Sequence, residues 1–188
     1  DVYKRQSLDL SKPDAELAWK ELPPWSGPPR ILPLAASQSN GENDCLYLFS
    51  GRNPHLGKAT EMLVDAHKFD PSKMTWSPLA NVSAGNDQPL CIMAGPCAPV
   101  GVAHILVFGG ADGQRFLEIE KLNARIAELD RSGEDSNETN STELSKLKTQ
   151  HLRFHEQHTG FSREILACHV VTDSWTKVGE AEIPFPVT

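Results

Sequence analysis

His104-Ile-Leu-Val-Phe-Gly-Gly110 and its counterpart Cys45-Leu-Tyr-Leu-Phe-Ser-Gly51 decide the fold. Each is a run of strand-forming apolar residues that stops on small residues, the pattern of a buried strand leaving its sheet through a tight bend. Downstream of each, a polar turn leads into a tryptophan: Asp70-Pro-Ser-Lys-Met-Thr-Trp76 and Val171-Thr-Asp-Ser-Trp175. Asp, Pro and Ser set a turn between two strands, and the Trp begins the second of them. Trp19-Lys-Glu-Leu22, Trp76-Ser-Pro-Leu79 and Trp175-Thr-Lys-Val178 share an aliphatic residue three positions after the ring. Phe49 and Phe108 are 59 residues apart and Trp19 and Trp76 are 57 apart, so the chain repeats itself.

Each repeat reads as four strands. In the first, an innermost strand runs from Ile31 to Ser37, and Asn40-Gly-Glu-Asn43 supplies a hairpin turn. A second strand runs from Leu46 to Phe49, a third from Met62 to Phe69, and the outer edge from Trp76 to Leu79. In the second repeat the innermost strand is expected over Leu90 to Ala98, where Ala, Gly, Cys and Pro suit strands crowded around a central axis. Four-stranded sheets at this period, each closed by Trp, are the sequence grammar of a β-propeller blade. The expected architecture is therefore all-β, about two four-stranded blades. Residues 7–82 would form the first blade with the end of a preceding one, and 83–188 the second. Residues 1–6 read as translated adaptor sequence, and the start on Asp and the finish on Ile183-Pro-Phe-Pro-Val-Thr188 suggest a stretch of a longer protein.

The second repeat is stretched: Phe49 to Trp76 is 27 residues, whereas Phe108 to Trp175 is 67. The extra residues, 114–156, have a different composition. Ile119, Leu122, Ile126 and Leu129 recur at three-four spacing and predict an amphipathic helix. Arg131 to Thr142 is rich in Ser, Asn, Glu and Gly and predicts a loop. A second helix follows from Glu143 to about His155, with Leu144, Leu147 and Leu152 as its buried positions. Such a hairpin either sits over the loop face, where propellers bind ligands, or decorates the surface.

Charge and composition exclude several classes. With 18 Lys and Arg against 25 Asp and Glu, the net charge of -7 supplies no basic excess for nucleic acid. The longest apolar runs, Ala103 to Phe108 and Leu90 to Ala94, fall far short of the ~20 residues of a membrane helix, so no membrane span is expected. Cys45, Cys91, Cys97 and Cys168 lack zinc-type spacing. They read as small apolar residues on buried strands or, in an oxidising compartment, as disulfide partners. His151, His155 and His158 with Glu156 lack the Glu that a zinc-protease helix places after its first His, and read as a solvated helix end. No metal site is expected. Asn81-Val-Ser83, Asn137-Glu-Thr139 and Asn140-Ser-Thr142 match the glycosylation pattern, which chance supplies in a Ser/Thr-rich stretch.

Gly109-Gly110, Phe69 before its turn and the closing Trp residues resemble Kelch repeats. More narrowly, His158-Thr-Gly-Phe-Ser-Arg-Glu-Ile-Leu166, running into Thr172-Asp-Ser-Trp-Thr-Lys-Val-Gly179, resembles the cyclically permuted mutarotase family, Kelch-type relatives of N-acetylneuraminate epimerase. Two departures stand out: Ser50-Gly51 replaces Gly-Gly in the first repeat, and Cys168 replaces the aromatic residue seven positions before Trp175. The resemblance implies a six-bladed propeller of which this chain holds about two blades, the missing ones being required for closure. It implies a bacterial, periplasmic isomerase acting at the anomeric centre of a sialic acid, with no cofactor. It also puts the family's Glu and Arg motif in a blade expected after Thr188, so the resemblance transfers no catalytic residue to this chain. Arg52, Asn53, Asp112 and Arg163 are the substrate-binding candidates, placed by sequence on loops at one end of the two sheets. Their plainer roles are turn stabilisation for the first three and an ion pair for Arg163. The alternative function is a non-catalytic propeller that binds protein or carbohydrate through its loops.

Overall fold

Leu34, Ala36 and Gln38 alternate with exposed neighbours, and Cys45, Tyr47 and Phe49 do the same across the hairpin; this period of two makes a sheet with one buried face. In the computed structural model, which describes residues 6–25, 27–86, 88–131, 138–157 and 160–186, these residues begin a four-stranded antiparallel meander. Its strands are β3 (Leu34–Ser39), β4 (Asp44–Asn53), β5 (Glu61–Asp70) and β6 (Thr75–Leu79), in that order. A second meander contains β7 (Cys97–Val100), β8 (His104–Phe108), β9 (Glu164–His169) and β10 (Ser174–Glu182), again paired in chain order. Two residues, β1 (Gln6–Ser7), pair with β2 (Lys20–Glu21) ahead of them. The chain is thus mostly β, with antiparallel sheets that do not close into a barrel. Between β8 and β9 stand two helices, α1 (Gln114–Arg131) and α2 (Glu138–Glu156).

The backbone repeats as closely as the sequence does. Ser50 (φ 54) and Gly51 (φ 101) bend the chain after Phe49, as Gly109 (φ 62) and Gly110 (φ 91) do after Phe108. Met74 (φ 53) and Asp173 (φ 52) take the left-handed conformation two residues before Trp76 and Trp175. Leu32 (φ 55) and Ala94 (φ 59) do so ahead of each inner strand. Reciprocal backbone hydrogen bonds join Ile31 to Arg52, and Met93 to Ala111. Arg52 and Asn53 therefore correspond in position to Ala111 and Asp112.

One core fills the space between the two sheets. Leu34, Tyr47, Phe49 and Ala66 face Ile105, Val107, Leu166, Cys168 and Trp175, with Val82 and Ile92 wedged among them. Phe49 and Trp175 meet edge to face with centroids 5.0 Å apart. Polar clasps tie the rims: Gln38 Nε2 donates to the His104 carbonyl at 2.8 Å, and the Ala80 amide donates to both Asp173 carboxylate oxygens at 2.9 Å. On the opposite face of the first sheet lie Trp25 and Arg30. There Trp25 packs edge-on to His67 and Trp76, and Arg30 makes a two-pronged ion pair with Asp65 (2.7 and 2.8 Å). The four cysteines are free; Cys45, Cys91 and Cys168 are buried. Burial pushes the Cys168 thiol up to about 12 and the Cys97 thiol up to about 11, as expected of packing residues.

Four expectations change. The inner strand of the second sheet covers Cys97–Val100 rather than beginning at Leu90. Ala94, in its left-handed conformation, and Gly95-Pro96 break the run, and the hydrogen bonds of 90–93 go to other segments. The second helix starts at Glu138 rather than Glu143, and ion pairs from Arg125 to Glu143 (2.9 Å) and from Lys148 to Asp130 (3.1 Å) hold it alongside α1. Leu152 is 63 % exposed: the stripe begun by Leu144 and Leu147 continues through His151 and Phe154, and Leu152 lies off that face. Trp19 is 65 % exposed beside the two-residue ladder, whereas Trp175 is enclosed between the two sheets. His158 and Asn137 lie outside the described residues, and nothing is described of the His155 side chain. Among the described residues no group of His, Cys, Asp and Glu is arranged to hold a metal. No helix is long and apolar enough to cross a membrane.

Candidate functional site

The site begins where the second strand of each sheet bends. Ser50 is fully buried in a position whose left-handed backbone glycine fills in the second repeat. Its hydroxyl donates to the Leu63 carbonyl at 2.7 Å and accepts from the Ile92 amide at 2.8 Å. One side chain thus staples β4, β5 and the 90–93 segment together. That segment is held on its other side by the Met93–Ala111 pair and by the Leu90 amide donating to Val82. At Gly110 (φ 91), a Cβ would stand 3.0 Å from both Ile92 Cγ1 and the Met93 oxygen, so only glycine lets the chain pass here. Cys91 lies in the same segment. Burial pushes its thiol up, only partly countered by its hydrogen bond with Ser50, so it is not activated as a nucleophile.

The helical hairpin grows from this bend and leans over the first sheet. Asp112 Oδ1 accepts from the Gln114 amide (3.0 Å) at the start of α1, as an Asx turn does. A Cβ on Gly113 would collide with the Met62 side chain, which shows how closely α1 approaches β5. The Arg52 guanidinium lies 3.7 Å from the centre of the Phe116 ring. Glu120 accepts from the Thr60 amide (2.9 Å) and hydroxyl (2.6 Å), and these two bonds hold its carboxyl below the usual range. The far end of the insertion is tied back: Ser162 donates from its amide to Gly110, and Gly109 donates to Glu164, both at 3.0 Å.

Between the hairpin and the 90–93 segment lies a cleft of about 900 Å³. Its charged lining consists of Asp112, Arg115, Glu118 and Glu164, and its aromatic lining of Phe116, Phe154 and Phe161. Glu164 is committed to Lys177 at 2.7 Å. Arg115 stacks on Phe154, 4.2 Å from the ring centre, and its Nη2 is enclosed without a hydrogen-bond partner. A guanidinium, two carboxylates and apolar rings around one space can hold a small polar molecule that carries an anionic group, hydroxyls and an apolar face.

The four residues singled out from sequence are not gathered together. Asp112 lines the cleft. Arg52 lies behind it, under Phe116. Asn53 is buried and turned onto its own hairpin, with Nδ2 3.3 Å from His55 Nε2 and 3.4 Å from Glu61 Oε2. Arg163 points away, donating to the Ile183 carbonyl (2.8 Å) with Glu182 at 3.7 Å, where the sequence suggested Glu164 or an insertion carboxylate. Arg115, Glu118 and Phe154 were missed. Arg115 and Glu118 are three apart on one face of α1 beside Ile119, a pattern that reads equally well as solvated helix. The aromatic Phe154 offered the better signal, extending the Leu144–Leu147 stripe to the end of the helix.

No protein-family model matches the chain. It is similar to the curated N-acetylneuraminate epimerases of Haemophilus influenzae strains PittEE and 86-028NP, being 24 % identical to each over 185 residues. Those alignments cover 97 % of this chain and 42 % of each relative, so the chain spans less than half the length of the curated relatives it matches. Among solved structures it is similar to the one titled "Structure of YjhT", with 21 % identity and a TM-score of 0.61 over 95 % of this chain and 45 % of that one. The structural likeness shows the fold. Together these findings fit the resemblance to Kelch-type mutarotases read from residues 158–179.

Proposed function

We propose that this chain is about two blades of a six-bladed Kelch-type propeller whose whole protein is a sialic-acid mutarotase or epimerase. The observation that carries the reading is the cleft at the root of the hairpin, in a chain aligned along nearly all its length with N-acetylneuraminate epimerases. The β3–β6 and β7–β10 sheets are the two blades, and helices α1 and α2 form a wall of the substrate mouth. Asp112, from the sequence candidates, contributes directly to that mouth. Arg52 supports it through Phe116, whereas Asn53 and Arg163 are engaged elsewhere.

Mutarotation opens and recloses the hemiketal ring of the sugar. It requires removal of a proton from the anomeric hydroxyl and delivery of one to the ring oxygen. An acid-base pair supplied by another blade would perform those transfers, while this chain binds and orients the sugar acid. The test is proton NMR of the whole protein with freshly dissolved α-N-acetylneuraminate. Approach to anomeric equilibrium well beyond the spontaneous rate is expected. An unchanged rate across several sialic acids would overturn the isomerase in favour of a binding propeller, whose sugar or protein ligand would be sought at the same cleft.

A further inference from the structure

Arg115, at the start of α1, is held by the ring of Phe154, at the end of α2, and among the described residues it makes no ion pair. Its Nη2 is enclosed and has no hydrogen-bond partner. An enclosed cationic N–H without an acceptor is costly, and buried polar groups in folded proteins are almost always paired. Yet Asp112, two residues ahead of α1, and Glu118, three residues along α1 from Arg115, line the same cleft. Asp112 is drawn away by the Gln114 amide. A guanidinium backed by a ring and left without a protein carboxylate suits a planar two-oxygen anion.

We propose that Arg115 is the carboxylate-positioning residue of this cleft, donating to the acid group of a sugar acid whose hydroxyls face Asp112 and Glu118. The inference rests on the sugar-acid reading above and adds to it the residue that selects the acid over a neutral sugar. Phe154 sets the plane of the guanidinium, so selectivity depends on the hairpin being folded onto the sheet end. A neutral ester of the same sugar keeps every hydroxyl contact and loses only the charge-assisted pair with Arg115.

The experiment measures binding of N-acetylneuraminate and of its methyl ester to the whole protein by ligand-observed NMR and calorimetry. Wild type is expected to prefer the acid at least tenfold. Arg115→Gln should abolish that preference while leaving ester affinity within twofold, and Arg115→Lys should restore part of it. Circular dichroism and the melting temperature report whether each variant folds; Phe154→Leu, which keeps the charge but removes the ring, should weaken the preference if Arg115→Gln does not fold. Acid preference that survives in a folded Arg115→Gln protein, or that is undiminished in Phe154→Leu, overturns the role of Arg115 and leaves the sialic-acid reading standing. Failure of wild type to bind or turn over either ligand overturns both.

Discussion

Ser50 adopts a backbone conformation that glycine tolerates and serine does not prefer, at the position where the second repeat carries Gly109. Its two buried hydrogen bonds compensate for that strain. Ser50→Ala removes both bonds and keeps the strained φ, so it should cost about 2 kcal/mol. Ser50→Gly loses the same bonds but relieves the backbone, and should cost about 1 kcal/mol. Urea midpoints of the whole protein separate the two, and a Ser50→Ala protein as stable as wild type would remove the staple from the account. Behind the first sheet, burial pushes the Asp65 carboxyl up, but hydrogen bonds and charge from Arg30 and His67 outweigh this and hold it below the usual carboxylate range. A depressed folded value contributes stability that is present above the unfolded value near ~3.9 and fades as pH falls through the folded one. Asp65→Asn should therefore flatten the fall in melting temperature below about pH 4; a profile as steep as wild type in that window would contradict the assignment.

At the scale of elements, the helical hairpin is more than an ornament on the surface, because its first helix is anchored to the neighbouring sheet. Thr60 and Glu120 form the polar anchor and Arg52 beneath Phe116 the second one. The ion pairs between α1 and α2 are exposed and worth at most about 1 kcal/mol each. Hairpin position therefore depends on the anchor rather than on its own internal pairs. Glu120→Gln with Thr60→Ala should raise amide exchange in α1 and α2 at least tenfold while β4 and β5 stay protected. Unchanged exchange in the helices would mean that the cleft wall is held by other contacts. The two helices were legible in sequence from leucine spacing, but the anchor was not. Thr60 and Glu120 are 60 residues apart, and neither has a local pattern to mark it.

For the whole molecule, each four-stranded sheet ends on edge strands with no further partner among the described residues, and Leu10, Trp19, Val102 and Val171 stand exposed. Open sheet edges and uncovered apolar surface favour association. Expressed by itself, the 188-residue chain is expected to associate or to melt over a broad range, as read by sedimentation and scanning calorimetry. A sharp, reversible transition of a monomer would contradict this and also the proposal that further blades complete the fold. By the same reasoning, the isolated chain should give no acceleration of sialic-acid mutarotation in the NMR assay, and activity from it alone would place the acid-base pair within these residues.

The repeat, its four-strand units, the tight turns before Trp76 and Trp175 and the presence of two inserted helices were all determined by the sequence itself. Each follows from neighbours within a few residues: alternation of apolar side chains, turn chemistry, or three-four spacing. What only the tertiary structure decided is which polar groups meet. The 90–93 run looked like the start of a strand, and long-range hydrogen bonds to Ser50, Val82 and Ala111 made it a wedge instead. Asn53 and Arg163 resembled ligand-binding residues, and nearby acceptors claimed them. Arg115 resembled an ordinary surface cation, and the structure stacks it on Phe154, from a helix folded back across it, and encloses its Nη2 beside the cleft. Local periodicity fixes elements because their energetics are local, whereas a site depends on partners brought from distant parts of the chain by packing.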